Sequence, residues 1–140
     1  MNITLKELSE SFAHLGKLAQ LPAGDGVTGK QAYWISRIAD VAESEMKRLE
    51  KTRTDLVKRF GAPDKEGNYS VMQDQIEAFS AEIESLLAEV IELPGSQITV
   101  KDEQVEKMRL SPLDLMRLRW LIVYDVSEEP EAKTAAASGD

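Results

Sequence analysis

The run from Thr28 to Gly61 restricts the fold more than any other stretch. Within it Ile35, Ile38, Ala42, Met46, Leu49, Leu56 and Phe60 recur at helical steps, with only Arg53 polar in the series. That is the period of a helix and not the alternation of a strand. Ser36, Arg37, Asp40, Glu43, Lys47, Arg48, Glu50 and Lys51 fill the intervening positions, so one face is apolar and the other wet. Thr28 and Gln31 have the spacing of a reciprocal N-cap, and Gly61 followed by Pro63 is a stop. Roughly thirty residues at about 1.5 Å each make a rod on the order of 45 to 50 Å. A chain of 140 residues does not need so long an element, so the rest is expected to fold back along it.

The segment before it supplies one partner. Leu8, Phe12, Leu15 and Ala19 predict a helix from Leu5 to about Gln20, begun by a capping box of Thr4 and Glu7. Pro22, Gly24 and Gly26 turn the chain before the rod starts. On the far side, residues 62 to 68 read as a tight loop and Tyr69 to Val71 as briefly extended. Ser70 and Gln73 form a third capping pair, and Met72, Ile76, Phe79, Ile83, Leu86 and Val90 predict a helix of four or five turns. Glu89 to Leu93 and Gln97 to Lys101, flanking Pro94-Gly95-Ser96, predict a small β-hairpin. Glu103 to Arg109 is ambiguous. Ser111-Pro112-Leu113-Asp114 starts a last helix with Leu115, Leu118, Leu121 and Ile122 on its buried face. The expected fold is therefore mainly α. It is an antiparallel helical hairpin or bundle around one long helix, with a small β-hairpin and a C-terminal helix, forming one domain over residues 1–125. Residues 126–140 hold four acids and one Lys and too few apolar groups to order themselves, so a disordered acidic tail is expected.

Composition narrows function mainly by exclusion. There is no cysteine, which removes disulfide and thiolate chemistry and fits a reducing compartment. No continuous apolar run suggests a signal peptide or a membrane span, and no membrane association is expected. The formal net charge of -8 disfavours nucleic acid. The bases Lys47, Arg48, Lys51, Arg53, Lys58 and Arg59 are the best nucleic-acid candidate, but acids interleave them and no aromatic stacks among them.

Catalytic and metal signatures are not evident. His14 is the single histidine, and no carboxylate or nucleophile stands at a recognisable spacing from it, which favours a surface or boundary histidine. With one His and no Cys, zinc patterns fail; the acids of Asp64 to Asn68 miss the register of a calcium loop. We find no Gly-rich phosphate loop and no Gly-x-Ser-x-Gly elbow. The expectation is a protein that is not an enzyme and holds no cofactor or metal. Glu43 with Lys47, Glu50 with Arg53 and Asp55 with Arg59 read as ion pairs on a solvated helix face. Three residues remain as a candidate partner surface. Arg53 interrupts the apolar stripe, either reaching to the edge or pairing with a carboxylate of another helix; Trp34 and Val41 lie one step off it, either widening the core or facing a partner.

Ala32-Tyr33 with Ile35 and Ile38, Glu43-Ser44-Glu45, Glu50 with Arg53 and Leu56, Phe60-Gly61, Glu66-Gly67-Asn68, Phe79, Glu89-Val90 and Ser111-Pro112-Leu113-Asp114-Leu115 form a pattern covering most of residues 4 to 122. It resembles a family of small phage and prophage proteins catalogued as a domain of unknown function. The loop from Gly24 to Val27 is longer here than the family's turn, and the acidic tail is this chain's own. The resemblance implies a viral origin, and with it a place in the host bacterial cytoplasm or in the virion. Two functions follow as expectations. One is a non-enzymatic phage protein acting through protein contacts, as a virion component or assembly factor; the other is a host-directed binder or inhibitor of a bacterial enzyme or defence complex, with acidic side chains imitating nucleic acid. A protein partner, of the phage or of the host, is expected in either case. Self-association through a coiled-coil use of the long helix stays open.

Overall fold

A computed structural model describes residues 1–125. The chain is mainly α with minor β. In order come β1 (Asn2–Thr4), α1 (Leu5–Ala19), α2 (Gly29–Phe60), β2 (Gly61–Pro63), β3 (Tyr69–Val71), a single 3-10 turn at Gln73–Gln75, α3 (Ile76–Leu87), β4 (Val90–Glu92), β5 (Ile98–Val100), α4 (Asp102–Met108), α5 (Pro112–Arg117) and β6 (Ile122–Tyr124). The contacts gather into two compact units. The first takes Met1–Ala13 and Arg37–Pro94; the second takes His14–Ser36 and the described residues from Gly95 onward. The expected disordered tail lies outside the described residues.

The long helix forms where its caps place it. Thr28 Oγ1 accepts from the Gln31 amide at 3.1 Å, and Gln31 Oε1 accepts from the Thr28 amide at 2.9 Å, which satisfies two end groups reciprocally. Its 32 residues correspond to about 48 Å at the ordinary helical rise. Gly61 ends it by entering β2, and a β carbon there would lie 2.4 Å from the Ser70 carbonyl oxygen, so the chain can double back only through glycine.

In the first unit, β2 pairs antiparallel with β3, Ala62 opposite Ser70. Asp64 closes this hairpin by accepting from the amides of Glu66 and Asn68 at 2.8 and 3.0 Å. Phe60 and Phe79 meet edge to face at 6.2 Å, while Met46 and Leu49 share a groove with Ile83 and Leu86. The end of α2 thus meets the start of α3 and the middle of α2 meets the end of α3, which makes the pair antiparallel. β1 pairs antiparallel with β4, Ile3 opposite Ile91. Ile3, Leu5, Leu8, Ile38, Ala42, Leu56 and Leu93 are the buried apolar residues of this unit.

In the second unit, β5 and β6 pair in parallel, Ile98 opposite Ile122. Leu15, Leu18, Val27, Ile35, Val100, Met108, Leu118 and Leu121 are buried with them. α4 covers the Gly24 to Val27 loop. A β carbon on Gly26 would stand 2.6 Å from Met108 Cγ and 2.8 Å from the Gln104 carbonyl oxygen, so the bare backbone permits this approach.

Four expectations change. The strands near 89–93 and 97–101 exist but do not pair with each other: β4 takes β1 and β5 takes β6. Two short strands are marginal as an isolated hairpin, and each finds a partner distant in sequence. The hairpin that does form is β2–β3, at the loop after the long helix. Ser70 and Gln73 do not cap a helix, because Ser70 is held in β3; Met72 occupies the cap position of the 3-10 turn and α3 begins only at Ile76. The last helix ends at Arg117, so Leu121 precedes and Ile122 begins a strand. The ambiguous stretch after Lys101 is helical, with Gln104 Oε1 accepting from the Lys101 amide at 3.1 Å.

Candidate functional site

The three residues singled out in sequence lie along α2, Trp34 in the second unit and Val41 and Arg53 in the first. Nineteen helical steps separate Trp34 from Arg53, about 28 Å along the axis. Trp34 is half-buried, edge to face with Tyr33 at 5.6 Å, and its ring sits where a β carbon on Gly95 would be 3.0 Å away. It fits against a turn and is not a free apolar ridge. Val41 is half-buried and belongs to the first unit.

Arg53 does not pair with a carboxylate of another helix to set the register. Its guanidinium meets Glu50, one turn back on α2, at 3.4 Å, and both side chains are exposed. The other pairs on this face are Glu43 with Lys47 at 3.5 Å and Glu45 with Arg48 at 3.1 Å. Arg59 lies over the Phe60 ring at 4.9 Å instead of reaching Asp55. Such exposed pairs contribute little to stability. What distinguishes Arg53 is its surroundings: it opens onto a groove of about 400 Å³ lined by Phe12, Met46, Leu49, Ile83 and Leu86. The stripe of α2 is buried at Ile35, Ile38, Ala42 and again at Leu56, but only half-buried at Met46, Leu49 and Phe60. The groove is where that stripe and the apolar face of α3 remain partly uncovered.

A second cluster lies in the other unit and was not apparent in sequence. His14 Nδ1 is hydrogen-bonded to Asp114 Oδ1, and Lys17 Nζ lies 3.3 and 3.4 Å from the two carboxylate oxygens. Asp114 is only 2% exposed. Its Oδ2 accepts from the Ser111 amide at 3.0 Å, and its own amide donates to Ser111 Oγ at 3.1 Å, the capping box of α5. The bond to His14 first, and then the Ser111 amide, hold the carboxyl well below the usual range; burial acts the other way and is outweighed, and the Ser111 and Lys17 side chains add to the lowering. The carboxylate is a fixed anion that ties α1 to the start of α5. Ser111, the hydroxyl in the cluster, is engaged by the Asp114 amide and not by the imidazole. The arrangement orders two helices, with the imidazole held by the Asp114 carboxylate and the Ser111 hydroxyl held by the Asp114 amide. Sequence did contain the signal in part, since Asp114 stands out as a first-turn acid, but its partner is 100 residues away.

Comparison with protein families, with curated proteins and with solved structures gives no match for this chain.

Against the expectation of no Gly-rich phosphate loop, one such spacing is present in the chain. Gly24, Gly26 and Gly29 have the spacing of a dinucleotide-binding loop, and they line a cleft of about 600 Å³ together with Lys101 and Lys107. That loop chemistry requires a strand before the glycines and free amides at the helix start. Here a helix precedes them, Gly24 N donates to the Val27 carbonyl, and Thr28 and Gln31 cap each other. The glycines serve the turn and the close passage of α4. Among the described residues no cluster of three His, Asp or Glu side chains is arranged to hold a metal, and no helix is long and apolar enough to cross a membrane.

Proposed function

We propose that this chain is a non-enzymatic protein that works through protein contacts, with the α2–α3 groove of the first unit as its contact surface. The observation that supports this most is α3. It carries Ile76, Phe79, Ile83, Leu86 and Leu87, yet none of its residues is buried. Partly uncovered apolar faces on an otherwise ordered domain mark interaction sites. The His14–Asp114 pair supports the same reading, because its groups hold helices together. The resemblance to small phage and prophage proteins extends the proposal to a virion component or assembly factor in the infected bacterium.

A second reading is favoured by charge. Residues 66 to 100 contain no Lys or Arg and seven acids, which suits a host-directed binder that imitates nucleic acid. The two are separated by locating the protein. Detection in purified virions, bound through the groove and lost on Ile83→Glu, supports the structural role. Absence from virions together with salt-sensitive retention on one host complex supports the inhibitor.

A further inference from the structure

We infer that the groove is covered by a second copy of this chain, in a two-fold dimer that sets α3 of each copy against α2 of its partner. This names the partner in the contact reading above and rests on it.

Apolar exposure establishes that the face needs cover. Ile76 is 49% exposed at the start of α3, Met72 just before it is equally so, and the groove continues the same apolar surface past Ile83 and Leu86. Charge decides what covers it. α3 carries Glu77, Glu82 and Glu84 with no base, so packing α3 on α3 of a second copy would oppose acid to acid. The fitting surface has to present apolar side chains, a cation toward α3 and a carboxylate toward Arg53. The α2–α3 face itself supplies all three, and a self-complementary face is what a two-fold interface requires. α2 brings Arg53 at the groove, next to Glu50, and residues 43–60 hold six bases against the four acids Glu43, Glu45, Glu50 and Asp55, with Lys47 and Arg48 paired to Glu43 and Glu45, so this half of the helix is net basic where α3 is acidic. The Glu50–Arg53 pair, exposed at both ends, is weak enough to be exchanged for an intermolecular one. Residues 126–140 do not meet these requirements, having four acids, one Lys and Val126 as their single large apolar residue.

The test is sedimentation of the full chain across the micromolar range, with far-UV circular dichroism to verify folding. The native chain is expected to shift from monomer to dimer as concentration rises. Arg53→Glu alone should weaken the dimer at least tenfold, and so should the combination Glu77→Lys, Glu82→Lys and Glu84→Lys. Mixing these two variants should restore a dimer, because each contact in the mixed pair is again between opposite charges. A native chain that stays monomeric at all concentrations overturns the inference while leaving the contact reading to be decided by the virion and pull-down experiment. Dimers unaffected by either charge reversal, or a mixture no more associated than its components, overturn it as well. So does a crosslink that places residues 126–140 in the groove of the same molecule. If the triple variant does not fold, the native series and Arg53→Glu still decide the outcome.

Discussion

The His14 imidazole and the Asp114 carboxylate, 100 residues apart in sequence, are joined by a hydrogen bond at Nδ1. The contact sits on a buried carboxylate that is also the cap of α5, so one side chain fixes a helix start and holds that start to α1. A two-helix attachment through a single anion has a measurable pH dependence.

Because Asp114 is held below its ordinary value of 3.8, the unfolded chain takes up the proton first as the solution is acidified. The stabilisation is therefore present above that value and is lost as pH falls below it. Urea midpoints measured from pH 6 down to pH 2 should fall in the native chain more steeply than in Asp114→Asn. At pH 6 the variant should be less stable by about 2 to 4 kcal/mol, the cost of removing the charge from a satisfied, buried site. Equal slopes in the two proteins would contradict this.

Gly26 and Gly67 both have positive φ, 93° and 85°, but only Gly26 is crowded, by Met108 and the Gln104 carbonyl. Gly67→Ala meets nothing within 4 Å. It should cost about 1 kcal/mol from backbone strain alone. Gly26→Ala should cost about 3 kcal/mol, since strain is joined by overpacking against α4. Thermal unfolding of the two variants under the same conditions checks the order.

Two Ser/Thr residues that look alike in sequence should behave differently. Thr28→Ala removes a formed cap of α2 and should destabilise by about 1 kcal/mol. Ser70→Ala lies in a strand and is exposed, so its effect should stay within about 0.5 kcal/mol. Similar losses in a chemical denaturation series would mean that Ser70 caps α3 after all.

Arg53→Met should leave monomer stability within about 0.5 kcal/mol of the native chain, because the side chain is exposed and its pair with Glu50 is local. A loss above about 2 kcal/mol in equilibrium unfolding at low protein concentration would show that the residue anchors the fold.

How much of this could be read beforehand depends on the range of the interaction. Thr28 with Gln31, and Ser111 with Asp114, are caps closed within one turn, and both form as their spacing indicates. Ser70 with Gln73 has a similar local signal and fails, because pairing of Ser70 with Ala62 takes the residue first. The strand propensity near Val90 and Ile98 was legible, but strands of three residues gain their stability from whichever edge lies alongside. Those edges are β1 and β6, the first more than eighty residues from β4. Trp34 stands beside the apolar stripe in sequence, and only the position of Gly95 shows what its ring is packed against.

The sequence by itself determined the mainly helical class, the limits of the long helix and the polarity of its faces. Periodicity and caps act between neighbours on one chain segment, and no distant contact is needed to set them. Tertiary structure decided which strands pair, where the carboxylate of Asp114 finds the imidazole of His14, and that the apolar stripe of α2 is buried at Ile35, Ile38, Ala42 and Leu56 but partly open at the groove between them. Each of these depends on residues brought together by folding, whose attraction leaves no regular interval in the sequence.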